Sequence, residues 1–233
     1  MTSPALRHAT AALTLLALAA TALAQTAPGA ASGAGLALGT SASIDAPVLG
    51  APEAEIPAAV VVVRGEGGDR IAVLDLRRHG DALRVTGVLP DLRDHPGLRS
   101  ADDPALWPCP LAVTADARLL PVGFWVEEAG AVLELANRPL PAAPVAGYRQ
   151  LLLVYADGDV RVHGTCADPA LGLTVEAYLR PGWNLLASEA HTASGGPRVL
   201  VRSTTPKDLE DAAWYWRETP TTADDADVTP TRP

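Results

Sequence analysis

The sequence predicts an all-β protein: an antiparallel β-sandwich, or a barrel-like closure of one, with one short C-terminal helix. Three observations carry that class. Apolar runs of strand length alternate with turn residues at hairpin spacing. Within several runs the apolar residues fall at every second position, the period of a strand with one buried face. Gly 20 and Pro 21 in 233 residues favour turns over long helices.

The elements follow in order. Val60, Val61, Val62 and Val63 make a first run, and Gly65-Glu66-Gly67-Gly68-Asp69 turns it. Ala72, Leu74 and Leu76 share one face of the next strand. After Arg78-His79-Gly80-Asp81, Leu83, Val85, Gly87 and Leu89 share another. Asp91 to Pro108 is a long proline-bearing connection. Short strands are expected at 109–114, 118–127 and 131–136, then a stronger one at 148–155. Asp157-Gly158 reads as a hairpin turn between two strand-like runs. Val160 and Val162, then Leu173, Val175, Ala177 and Leu179, give two more alternating strands. Trp183–Ser188 follows the Pro181-Gly182 break, and Gly195-Gly196-Pro197 introduces Arg198–Ser203.

One helix is expected near the end. Thr205-Pro206-Lys207-Asp208 supplies a cap, a proline at the first helical position and an acid at the third. Leu209, Ala212, Ala213 and Trp216 then fall at helical spacing and make one apolar face.

Composition bounds the interior and the partners. Hydrophobic residues are 48% of the chain but aromatics only 4%, so the core is built of Val, Leu and Ala. Acids number 27 and bases 18, a formal charge of −9. That excess argues against nucleic acid as the main partner, because phosphate binding needs a basic face.

Four segments are expected. Residues 1–24 read as an export signal: Arg7 and His8 at the head, an uncharged Leu/Ala stretch, then Ala22-Leu23-Ala24 before Gln25. The apolar stretch, about 13 residues, is too short to span a bilayer as a helix. Residues 25–57 are Ala-, Gly- and Pro-rich with few large side chains and read as a flexible linker. Residues 58–217 form the β-domain, and 218–233 a solvated acidic tail. The expected location is secreted or periplasmic, with no transmembrane segment in the mature chain.

Cys109 and Cys166 are the only cysteines. In an oxidising compartment a lone pair is most simply a disulfide. His163 sits three residues before Cys166, but zinc needs three or four converging ligands, so no metal is assigned.

Catalytic motifs are lacking. There is no Gly-x-Ser-x-Gly elbow, no phosphate-binding Gly-x-x-x-x-Gly-Lys loop and no His-Glu-x-x-His helix. The densest mix of carboxylate and imidazole is Asp94, His95, Asp102 and Asp103, where turn capping is the plainer explanation. Trp214-Tyr215-Trp216 is the most concentrated aromatic feature. With Trp216 on the helix's apolar face, Trp214 and Tyr215 are the candidate binding residues, since an exposed ring can stack on the C–H face of a sugar.

Val160-Arg161-Val162-His163-Gly164-Thr165-Cys166, the alternating strand 173–179 and the Gly182-Trp183-Asn184 turn together resemble exported bacterial β-rich proteins of unknown function. The likeness covers about the last third of the folded part. It implies a β-rich exported domain and no known activity.

The expectation is therefore an exported, non-enzymatic β-domain of the cell envelope or extracellular space. No cofactor is expected, and the partner is an envelope protein or a polysaccharide. The alternative is an extracytoplasmic hydrolase with its acids in the Asp91–Asp103 loop.

Overall fold

The computed structural model describes residues 34–52, 59–141, 146–166, 172–193 and 196–219. The expected export signal and most of the acidic tail lie outside the described residues.

The chain is all-β with one short helix, and its sheet closes into a barrel with extra strands. The first half contributes β1 (Leu36–Ala37), β2 (Ala42–Leu49), β3 (Ala59–Gly65), β4 (Arg70–His79), β5 (Ala82–Leu89), β6 (Arg99–Ser100) and β7 (Ala112–Val113). The second half contributes β8 (Arg118–Val126), β9 (Ala131–Ala136), β10 (Arg149–Ala156), β11 (Val160–Cys166), β12 (Gly172–Leu179), β13 (Gly182–Ala193), β14 (Gly196–Ser203), helix α1 (Pro206–Glu210) and β15 (Ala213–Glu218).

Eight strands close the barrel in the order β8, β3, β4, β5, β2, β15, β9, β10 and back to β8. Closure depends on a divergence. β8 pairs with β9 only through Trp125–Val132 and Val126–Ala131, then splays away. β10 enters the gap and pairs with β8 from Leu119 to Val122. Closing a sheet on itself removes exposed strand edges, which otherwise template aggregation.

The interior is solid. Trp214 is 1% exposed, and its ring meets Phe124 edge-on with centroids 4.8 Å apart. Ile44, Leu74, Leu76, Leu89, Val61, Val63 and Val85 fill the space around them. Alternating inward side chains of a small barrel account for this filling.

A second core lies behind one wall. Leu151, Leu153 and Tyr155 of β10 face the barrel interior, while Val154 and Ala156 face the other way. Trp183, Leu185 and Ala187 of β13 likewise face the barrel, and Leu186 the second core. Beyond this shared wall the sheet runs β13-β14-β12-β11-β7 and curls over Val160, Val162, Val175, Leu179 and Val201. A wall buried on both faces explains why β10 reads as a nearly continuous apolar run.

The structure corrects three expectations. The 25–57 linker contains β1 and β2. Ala42, Ile44, Ala46 and Val48 are buried while Ser43 and Asp45 are exposed, a strand period written in small residues. Second, Asp157-Gly158 is not a hairpin. β10 and β11 do not pair; the chain crosses there from the shared wall to the opposite side of the second core. The Asp157 carboxylate accepts from the Arg118 backbone N–H at 2.7 Å and from its Nε at 2.6 Å, which ties the crossing to β8. Third, the helix stops at Glu210. Residues 213–218 match both a helical and a two-residue period, and pairing decides: β15 makes six residue pairs with β9 and two with β2.

Candidate functional site

The expected disulfide is present: Cys109 and Cys166 are bonded with Cα atoms 5.8 Å apart. It ties the long 91–117 connection to the end of β11.

The two expected binding residues occupy different places. Trp214 points into the barrel, with Nε1–H donating to the Ala34 carbonyl at 3.0 Å, so its ring is unavailable to a ligand in this arrangement. Tyr215, one residue on, faces outward and is half-buried, and that burial raises its hydroxyl pKa. The strand alternation of β15, in place of a helix, separates them.

Asp91, Asp102 and Asp103 of the Asp91–Asp103 loop bond within the loop or to its anchor. Asp91 accepts the Tyr155 hydroxyl and bonds the Arg93 side chain and backbone N–H, and these bonds lower its pKa to about 2. Asp102 accepts from the Ser100 hydroxyl, and Asp103 from the Ala105 backbone N–H at 2.8 Å. Asp94 is exposed. Leu92 and Leu98 of the same loop are buried in the barrel core, and the Trp183 Nε1–H donates to the Pro90 carbonyl at 2.9 Å. The loop is a plug for one end of the barrel.

His95 alone of that group faces a cleft. The cleft, about 240 Å³, opens at the barrel rim between the Gly65–Asp69 turn and the plug loop. Asp69, His95, Gly97 and Arg99 line it. A Cβ built on Gly97 would lie 3.1 Å from His95 Nδ1 and 3.7 Å from Asp69 Oδ2, so imidazole and carboxylate flank one bare stretch of backbone. His95 Nδ1 accepts the Gly97 N–H at 3.1 Å, which leaves the proton of a neutral ring on Nε2 as a donor. The Asp69 backbone carbonyl accepts the Gly65 N–H at 3.0 Å, and its side chain has no hydrogen-bond or ion-pair partner among the described residues. Arg99 is offset by Asp103 at 3.6 Å. Partial burial pushes the Glu66 carboxyl above its ordinary pKa, against the pull of Arg99.

A shallow groove of about 400 Å³ lies on the outer wall, lined by Arg64, Trp125, Glu127, Gly130 and Thr219 among others. Trp125 is 37% exposed. A Cβ on Gly123 would fall 2.4 Å from Cη2 and 2.6 Å from Cζ3 of that indole. The ring therefore lies back along its own strand, over the residue that has no side chain, and is buttressed there. Its exposure was legible from parity: Phe124 and Val126 bracket it and point inward, so Trp125 points outward.

Arg64 links the two features. Its Nη1 donates to the Gly68 carbonyl at 3.3 Å on the cleft side, and its Nη2 pairs with Glu127 on the groove side.

Two further polar clusters support structure. Asp208, 2% exposed, receives Arg202 in a bidentate pair at 2.7 and 2.9 Å, the Thr205 N–H at 2.7 Å and Arg149 at 2.7 Å. The Arg202 bonds lead in holding its carboxyl well below the usual range. On the outer face of β9, Glu134 pairs with Arg217 at 2.9 Å, and burial raises the Glu134 pKa. Burial likewise pushes the neighbouring Tyr148 hydroxyl far up.

Among the described residues no group of three or more His, Cys, Asp or Glu is placed to hold a metal ion, and no helix is long and apolar enough to cross a membrane. No family profile, characterised protein or solved structure matches the chain.

Proposed function

We propose that this chain is an exported, non-enzymatic binding module that holds a carbohydrate on the outer wall of its barrel, with Trp125 as the stacking platform. The observation that carries the reading is the Trp125 indole laid over Gly123 with part of its surface open to solvent beside polar Arg64, Glu127 and Thr219. Sugar C–H faces pack on such a ring, and flanking polar groups meet the hydroxyls. The filled interior directs the ligand to the surface, since the lumen is occupied by Trp214, Phe124 and their neighbours. Export rests on the sequence of residues 1–24, and a disulfide is compatible with an oxidising compartment. Against the hydrolase alternative, Asp91, Asp102 and Asp103 are spent on bonds that hold their own loop and its anchor, Tyr155.

The test is titration of the full chain with cellohexaose and with the N-acetylglucosamine hexamer, read by calorimetry. Binding of either, weakened at least about tenfold by Trp125→Ala, is expected if the ring supplies about 1.4 kcal/mol or more. Equal affinity in Trp125→Ala, or no saccharide bound, overturns the assignment.

A further inference from the structure

The groove and the rim cleft are joined by one side chain and differ in charge. In the groove, Arg64 and Glu127 neutralise each other. In the cleft, Arg99 lies 3.6 Å from Asp103 and also acts on Glu66, while the Asp69 carboxylate has no ion-pair partner among the described residues. The whole chain carries −9, so its long-range field favours a cation as well.

The open hydrogen-bond groups of the cleft are specific in kind. Asp69 Oδ2 is an acceptor with a negative charge. His95 Nε2–H is a donor, because Nδ1 is already taken by the Gly97 N–H. Asp69 Oδ2 and the Nδ1–Cε1 edge of the His95 ring flank the bare backbone of Gly97. A charged acceptor beside a neutral donor matches an ammonium group next to a hydroxyl, the pattern of a vicinal amino alcohol. The ammonium donates to Asp69 and the hydroxyl accepts from His95.

We infer that the Trp125 groove and the Asp69–His95 cleft form one continuous track for an oligosaccharide with free ammonium groups, that is, a de-N-acetylated amino sugar. This rests on the stacking reading above and adds the identity of the sugar. One ring stacks on Trp125, Arg64 spans the connection, and an amino-bearing ring places its ammonium against Asp69. An acetyl group on that nitrogen removes the charge that Asp69 would meet.

The experiment titrates the full chain with three hexamers: glucosamine, N-acetylglucosamine and the neutral cellohexaose. The glucosamine hexamer should bind at least about tenfold tighter than the other two. Asp69→Asn should remove that advantage and leave the other affinities unchanged. Gly97→Val should do the same by filling the cradle. Asp81→Asn, an exposed acid in the turn at the opposite end of β4, should change nothing, which separates a site from general attraction of a polycation. Thermal melts of each variant report whether the fold is kept. Three equal affinities, or a silent Asp69→Asn in a folded protein, overturn the track while stacking on Trp125 stands. A selective loss in Asp81→Asn equal to that in Asp69→Asn also overturns it. Failure of all three hexamers to bind overturns both.

Discussion

The Tyr155 hydroxyl donates to the Asp91 carboxylate across 64 residues of sequence, from the wall shared by the two cores to the plug at the barrel's end. The Tyr155 ring is itself held edge-on against Trp183, centroids 5.4 Å apart, and Trp183 bonds Pro90 beside the plug. The loop that forms one side of the cleft thus takes its position from two rigid aromatic side chains. Positioning of a binding loop by a rigid scaffold is a general arrangement.

Tyr155→Phe is expected to loosen the plug and spare the fold. Amide exchange at His95 and Leu98 should accelerate while the core of β10 stays protected. Low pH should act in the same way. The Asp91 carboxyl is depressed to about 2, so its anchoring is fully present above the ordinary carboxylate value and fades as pH falls from about 4 toward 2. Hydrogen exchange across that range checks both, and unchanged protection would refute the anchor.

Asp208 gathers two arginines and a helix start in one buried spot. Its carboxyl is also depressed, so it stabilises the fold above its unfolded-state value and loses that contribution as pH drops below about 4. Asp208→Ala should cost roughly 2–3 kcal/mol in urea unfolding. That lies below the loss from a fully buried pair, because Arg202 and Arg149 keep some contact with water.

The two tryptophans on adjoining parts of the barrel wall should respond oppositely. Trp214→Ala empties the barrel centre and should destabilise by about 3–5 kcal/mol. Trp125→Ala removes a ring from the surface and should stay within about 0.5–1 kcal/mol. Equal losses would mean that Trp125 is a core residue and not a platform.

The disulfide closes a loop with a sequence separation of 57. Chain-entropy arguments assign such a loop about 4 kcal/mol. Replacing both cysteines by serine should lower stability by about 2–4 kcal/mol in chemical denaturation, with m reporting any expansion of the unfolded state.

Much of the fold was readable from local pattern. Val85 and Leu89, or Val175 and Leu179, announce their strands because side-chain alternation is a property of the strand alone. Ile44 and Val48 were harder to read, since Ala42 and Ala46 supply half of that buried face and leave little apolar contrast. The site was partly readable. Trp125's outward position follows from its neighbours, but the meeting of Asp69 with His95 does not, because they are 26 positions apart and are joined only when the plug seats in the rim.

The sequence by itself determined the β class, most strand positions, the acidic charge and the pair of cysteines, because each is a matter of composition or of contacts along a few residues. Tertiary structure alone decided which strands close the barrel, that 213–218 is a strand and not a helix, and that Asp157-Gly158 is a crossing. Those outcomes turn on pairing between distant segments. The backbone N–H and C=O groups of residues 213–218 could be satisfied within a helix or against β9, and only the unfilled position between β2 and β9 selects the second.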